Sequence, residues 1–226
     1  LVTVHASAQT DSTDNADPAK DSLMARVGHQ LNIGVDIVNP ILNSLSGNKK
    51  GYEAELDYYL GHDLYFVAEG GFGNSKVNYD YLQYNTNNTF YRIGINRCLL
   101  QRTTPTDWDM FFIGARFGMA FINRTQTTYT IVDSFWGNAT GSLPNKNFSC
   151  YWAEVNAGMR VELYKALSVG WIVRGKFLLN SNSFPSVAPQ YIAGYGRGDK
   201  NSTFDFNVYV NYAIRWKKSK PRVSHK

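Results

Sequence analysis

The chain has 226 residues, enough for one large domain or two small ones, with 18% charged and 15% aromatic side chains. No apolar run can form a membrane-crossing helix: the best stretch, residues 110–122, is short and is interrupted by Arg116. The formal charge is +5, but Lys217, Lys218, Lys220, Arg222 and Lys226 fall in the last ten residues, so the remainder is near neutral and no nucleic-acid surface is expected.

Residues 1–8 read as the end of a signal peptide, with Ala6-Ser7-Ala8 matching the small-residue cleavage rule and cutting before Gln9. Residues 9–29 are polar and read as a flexible periplasmic lead-in. Within it Asp11-Ser12-Thr13 and Asp21-Ser22-Leu23 are similar to Bacteroidota O-glycosylation triplets, which are short enough to arise by chance.

Residues 30–216 then carry eight segments of period-two alternation, at 31–37, 52–60, 64–72, 89–97, 111–121, 151–163, 167–179 and 204–216. The last is the clearest. Phe204, Phe206, Val208, Val210, Tyr212, Ile214 and Trp216 alternate with Asp205, Asn207, Tyr209, Asn211, Ala213 and Arg215. That run is about twice the usual strand length of ~5–6 residues and matches a tilted strand crossing a bilayer. In the seventh segment Ile172 and Leu178 break the polar side of the pattern.

The turns after the second and sixth segments are short, at 61–63 and 164–166, and residues 98–109 form an intermediate connection. The connections after segments one, three, five and seven are long and rich in Asn, Ser, Gly and Tyr. Short turns at one end and long loops at the other are the pattern of an outer-membrane barrel, and an even strand count puts both termini in the periplasm. The sequence therefore predicts an all-β fold: an eight-stranded antiparallel up-and-down transmembrane β-barrel. Residues 217–226 form a basic periplasmic tail that could meet anionic lipid or a periplasmic partner.

A lipocalin-like soluble barrel has the same alternation, but its interior is apolar and its outside wet. Here the polar face carries glycines beside Glu53, Glu55, Asp57, Glu69, Arg92, Arg116, Glu154, Arg160, Glu162, Arg174, Lys176, Asp205 and Arg215. Acids and bases nearly balance, so they can pair inside a narrow barrel, with glycine making room. The expected interior is a plug of ion pairs, which argues against a porin or a ligand cavity.

A serine hydrolase of the outer membrane needs a histidine beside its nucleophile at the outer rim. His5, His29, His62 and His225 fall instead in the leader, the lead-in, a periplasmic turn and the tail. No catalytic residue, cofactor or metal site is expected, although Glu53, Glu55, Asp57 and Glu69 would form a carboxylate cluster on adjacent strands. Cys98 and Cys150 are expected at opposite ends of the barrel, too far apart to pair. The Asn-x-Ser/Thr triplets at Asn87, Asn123, Asn138, Asn147 and Asn201 read as loop composition.

Gly34-Val35-Asp36 with Asn39-Pro40, then Gly51-Tyr52-Glu53-Ala54-Glu55-Leu56-Asp57-Tyr58, Ala68-Glu69-Gly70-Gly71-Phe72-Gly73 and Tyr91-Arg92-Ile93-Gly94-Ile95-Asn96 resemble a family of small Bacteroidota outer-membrane barrels with no assigned activity. Tyr212, Ile214 and Trp216 resemble the terminal signal read by the barrel-assembly machinery, here followed by ten further residues. The resemblance implies a non-enzymatic accessory or scaffold subunit of a larger outer-membrane complex, including the barrel-assembly (BAM) machinery. Expected partners are outer-membrane lipid, lipopolysaccharide and other outer-membrane proteins or lipoproteins. The alternatives are a free-standing adhesion or envelope-stability barrel with protruding loops, and a lipid-modifying outer-membrane enzyme.

Overall fold

The inward–outward alternation holds in all eight segments, and most of them extend beyond their expected bounds. The computed structural model describes residues 28–45, 49–102, 104, 106–180 and 189–216. The signal-peptide remnant, most of the lead-in with Ser12 and Ser22, and the basic tail lie outside the described residues. The strands are β1 (His29–Asp36), β2 (Lys49–Gly61), β3 (Leu64–Tyr79), β4 (Leu82–Cys98), β5 (Met110–Arg124), β6 (Thr127–Ile131), β7 (Ala139–Leu143), β8 (Lys146–Tyr164), β9 (Leu167–Leu178) and β10 (Ser202–Trp216). One helix, α1 (Val38–Leu45), follows β1.

All strands except β6 and β7 close one antiparallel barrel. β5 pairs with β8, β3 with β4, and β10 returns to β1 with His29 opposite Trp216 and Val35 opposite Val210. The end of the barrel that holds His29 and Trp216 is called the terminal end below, and the opposite one the loop end.

The terminal end is built from tight turns. His62 and Asp63 have φ of 51° and 60°, and Lys165 and Ala166 have φ of 29° and 76°. Positive φ at both central residues makes the reversal follow the right-handed strand twist. Residues 99–102 and 106–109 fold back over the barrel mouth, where Trp108 is buried.

The loop end departs from expectation in three places. The Tyr/Asn-rich segment between residues 73 and 88 is strand, not loop: β3 and β4 continue in register to a two-residue turn at Asp80 and Tyr81. Its alternation is masked because the outward Asn74, Lys76, Asn85 and Asn87 are polar while the inward side mixes Ser75 and Thr86 with Val77 and Tyr84, unlike the apolar-out pattern below it. The long segment after β5 contains the β6–β7 hairpin, which pairs with β4 through Tyr129 and Leu82. Third, α1 starts where the Asp36 carboxylate accepts the backbone N–H groups of Val38 and Asn39 at 3.1 and 3.0 Å, as an N-cap does.

Candidate functional site

Period two sends every second side chain of the eight barrel strands into a narrow bore, and the charged face points there. Glu53, Glu55, Asp57, Glu69, Arg92, Arg116, Glu154, Arg160, Arg174 and Lys176 are all buried, and Asp205 is half-buried at their edge. The centre is a lattice of three arginines and their carboxylates. Arg92 meets Glu69 at 2.6 Å and Glu154 at 3.3 Å, and also pairs with Glu53. Arg174 lies 3.0 Å from Glu69 and 3.4 Å from Glu53, and Arg116 joins Glu69 to Glu55. The Tyr209 hydroxyl donates to Glu53 and accepts from Arg174 at 2.7 Å, while Trp152 Nε1 donates to Glu154 at 2.6 Å. Arg160 with Asp57 at 2.8 Å, and Lys176 with Asp205 at 2.7 Å, extend the lattice towards the two ends.

Such charges persist away from water because arginines face the carboxylates, with Glu53, Asp57, Glu69 and Glu154 also accepting hydrogen bonds, while Glu55 lies 3.7 Å from Arg116. Glycine provides the space. A Cβ on Gly118 would lie 2.2 Å from the Trp152 ring, and one on Gly94 would lie 2.6 Å from the Arg116 side chain.

Arg215 stands apart from this lattice. It sits at the terminal rim, where it pairs with Glu162 and donates to Gln30 at 3.0 Å. Tyr212, Ile214 and Trp216 project outward there, and Trp216 stacks on His29 and Tyr58. The other described histidine, His62, lies in a terminal turn. Among the described residues no group of three His, Cys, Asp or Glu could hold a metal. Cys98 and Cys150 are free and buried, near opposite ends of the barrel.

The sequence reading missed the two lids above and below the ions. At the terminal end the Arg102 guanidinium lies 4.3 Å from the Trp108 ring and 4.7 Å from that of Tyr59, over Tyr65, Cys98, Met110, Phe112 and Ile172. At the loop end Ile192, Ala193 and Tyr195 drop onto Phe90, Ala120, Ile122, Cys150 and Trp152. That inserted loop is pinned by Lys176 Nζ donating to the Gly194 carbonyl at 2.6 Å and by Gln190 N donating to the Tyr84 hydroxyl at 3.0 Å. Ile172, which broke the polar pattern of its segment, belongs to the terminal lid, and Leu178 packs against the loop-end lid. The interior is thus an ionic layer closed by an apolar layer at each end.

The outer wall is the reverse. Its outward positions carry residues such as Ile33, Leu56, Ile93, Ile113, Val155 and Val173, all exposed. Aromatics gather towards both edges, with Tyr52, Phe72 and Phe121 at the loop end and Phe66, Phe111 and Trp216 at the terminal end. Among the described residues the outward charges on the barrel strands are Lys50, Lys76 and Lys146, beyond the loop-end aromatics, and Arg97, opposite Ile113 at the terminal edge. Phe111 to Phe121 spans about 34 Å of strand, or about 26 Å of height at a tilt near 40°.

Above the loop end, the β6–β7 tip exposes Phe135 and Trp136 with ring centroids 5.3 Å apart. Asp133 fixes the tip by accepting the N–H groups of Phe135 and Trp136 at 2.7 and 2.8 Å, which holds its carboxyl below the usual range. Asp199 is lowered likewise by its hydrogen bonds from Arg197.

No curated protein matches the chain. A family model described as a domain of unknown function (DUF6048) matches residues 1–219, and the chain belongs to that family.

Proposed function

We propose that this member of the DUF6048 family spans the bacterial outer membrane as a non-enzymatic barrel and serves as an accessory or scaffold subunit of a larger outer-membrane complex. The observation that carries the reading is the wall: about 26 Å of apolar surface edged by aromatics, with outward charge confined to its edges and beyond. Hydrocarbon is the solvent that tolerates such a belt, whereas water would leave it as a ring of exposed apolar patch. In this orientation the loop end is extracellular and both termini are periplasmic.

The sealed bore supports a scaffold over a transporter. A permeant would have to break two lids and an ion lattice; Glu55, Asp57 and Glu69 lie beneath those lids, and Glu53, which borders the groove beside α1, is held by Arg92 and Arg174. What the protein offers to others is its wall, its crown and its ends. Its kinship to Bacteroidota barrels of the assembly machinery is part of this proposal, resting on the glycine-and-aromatic motifs.

Solubilisation in mild detergent followed by native electrophoresis tests the reading. Recovery in the outer-membrane fraction and migration within a larger assembly are expected. A protein that stays in the soluble fraction removes the membrane reading, and one that is membrane-bound but always runs at its own 25.5 kDa removes the subunit reading. The exposed Phe135–Trp136 tip favours a second reading, an adhesion barrel. Deleting residues 132–138 would then abolish whole-cell binding and leave native migration unchanged.

A further inference from the structure

The barrel wall has a notch. β1 ends at Asp36 opposite Tyr209, so β10 continues above it from Ser202 without β1 beside it. β2 starts at Lys49 but meets β1 only from Ala54. The helix α1 lies across the top of this gap, packed against β2 and β10, and its apolar side chains face outward, with Leu45 80% exposed.

Beside α1 is a crevice of about 630 Å³. Leu42, Leu45 and Phe204 line its greasy side, and Phe204 is 85% exposed. Lys49, Arg197 and Lys200 line the other. Lys49 Nζ sits 5.6 Å over the Tyr191 ring, which holds it at the crevice. Arg197 is engaged by Asp199 at 2.6 Å, so among the described residues the positive charge left without an ion pair comes from Lys49 and Lys200.

We infer that this crevice holds a phosphorylated lipid of the outer leaflet, with its phosphate between Lys49 and Lys200 and an acyl chain along Leu42, Leu45 and Phe204. The inference rests on the membrane reading above. Two cations beside three exposed apolar side chains suit an anionic amphiphile, whereas an acidic peptide would leave Leu45 and Phe204 unsatisfied. The height also agrees. Lys49 lies three residues beyond Tyr52 of the aromatic edge, about 8 Å higher for a tilted strand, which is headgroup level. On the far side of α1 a groove of about 710 Å³, floored by Ala54 and Gly70 and walled by Ile41, Tyr52, Phe72 and Tyr91, would take a second chain.

The test uses the full chain in phosphatidylcholine nanodiscs doped with phosphatidic acid of the same acyl chains. Lipid retained after transfer to detergent is counted by native mass spectrometry. The wild type is expected to retain phosphatidic acid over phosphatidylcholine, and Lys49→Ala/Lys200→Ala to lose roughly fivefold of that preference per lysine. Lys76→Ala/Lys146→Ala, at the same end but away from the crevice, should keep it. Equal preference in the two double variants, or none in the wild type, overturns the inference. Flotation with vesicles, scored in parallel, separates the two readings. A wild type that fails to float takes the membrane reading down as well, while one that floats without lipid preference sinks this inference alone. Both lysines lie outside the buried lattice, and heat-modifiable mobility on gels verifies that the variants fold.

Discussion

Glu154 and Val155 are consecutive residues of β8, and they live in opposite worlds. Glu154 is buried among Arg92, Arg174 and Trp152, while Val155 is 56% exposed on the outer wall. In a water-soluble barrel the two would trade places. The comparison teaches that burial here follows the availability of partners: a carboxylate goes inside where arginines await it, and an aliphatic side chain stays outside where the surroundings ask nothing of it. Hydrophobicity alone would assign both faces wrongly.

The comparison is broken hardest from the inside. Arg92→Leu strips a cation from Glu53, Glu69 and Glu154 together and leaves buried charge uncompensated, so a loss of about 3–5 kcal/mol is expected. Urea unfolding of the barrel reconstituted in vesicles measures it. A loss below about 1 kcal/mol would mean the lattice is wet or loosely formed. From the outside, Val155→Arg should cost about 2–4 kcal/mol in vesicles, because the position lies near mid-height of the apolar belt. If the wall faces water, the same change stays within about 0.5 kcal/mol. Gly118→Val sharpens the comparison most gently. It presses a side chain onto the Trp152 indole that donates to Glu154, with about 1–3 kcal/mol expected from overpacking, read by the same unfolding assay and by Trp fluorescence.

The barrel strands were legible because period two survives wherever one face must differ from the other. Asp205, Asn207 and Asn211 against Phe206, Val208 and Val210 need no tertiary information to be sorted. The upper parts of β3 and β4 escaped notice because their outward side chains, Asn74, Lys76, Asn85 and Asn87, are polar while the inward ones mix Ser75 and Thr86 with Val77 and Tyr84, so the apolar-out contrast is lost. The charged interior could be named residue by residue apart from Arg215, which sits at the rim, yet its lids could not. Trp108, Ile192 and Tyr195 come from aperiodic connections, and nothing local says that a tryptophan in a loop will cap a bore. The signal for α1 was present but short: Asp36 as a cap two residues ahead of an eight-residue helix with Pro40 in its first turn.

The pairing of His29 with Trp216 has a consequence for biogenesis. Two-residue reversals let β2 zip to β3, β3 to β4 and β8 to β9 through local contacts, whereas the final hydrogen-bonded ladder joins the first strand to the last and must wait until the whole chain has been delivered. Until that moment the nascent sheet carries two bare rims, each a template for mispairing with a neighbour. A chaperone that shields those rims, and a catalyst that brings them together, would govern yield far more than the equilibrium stability of the finished hoop.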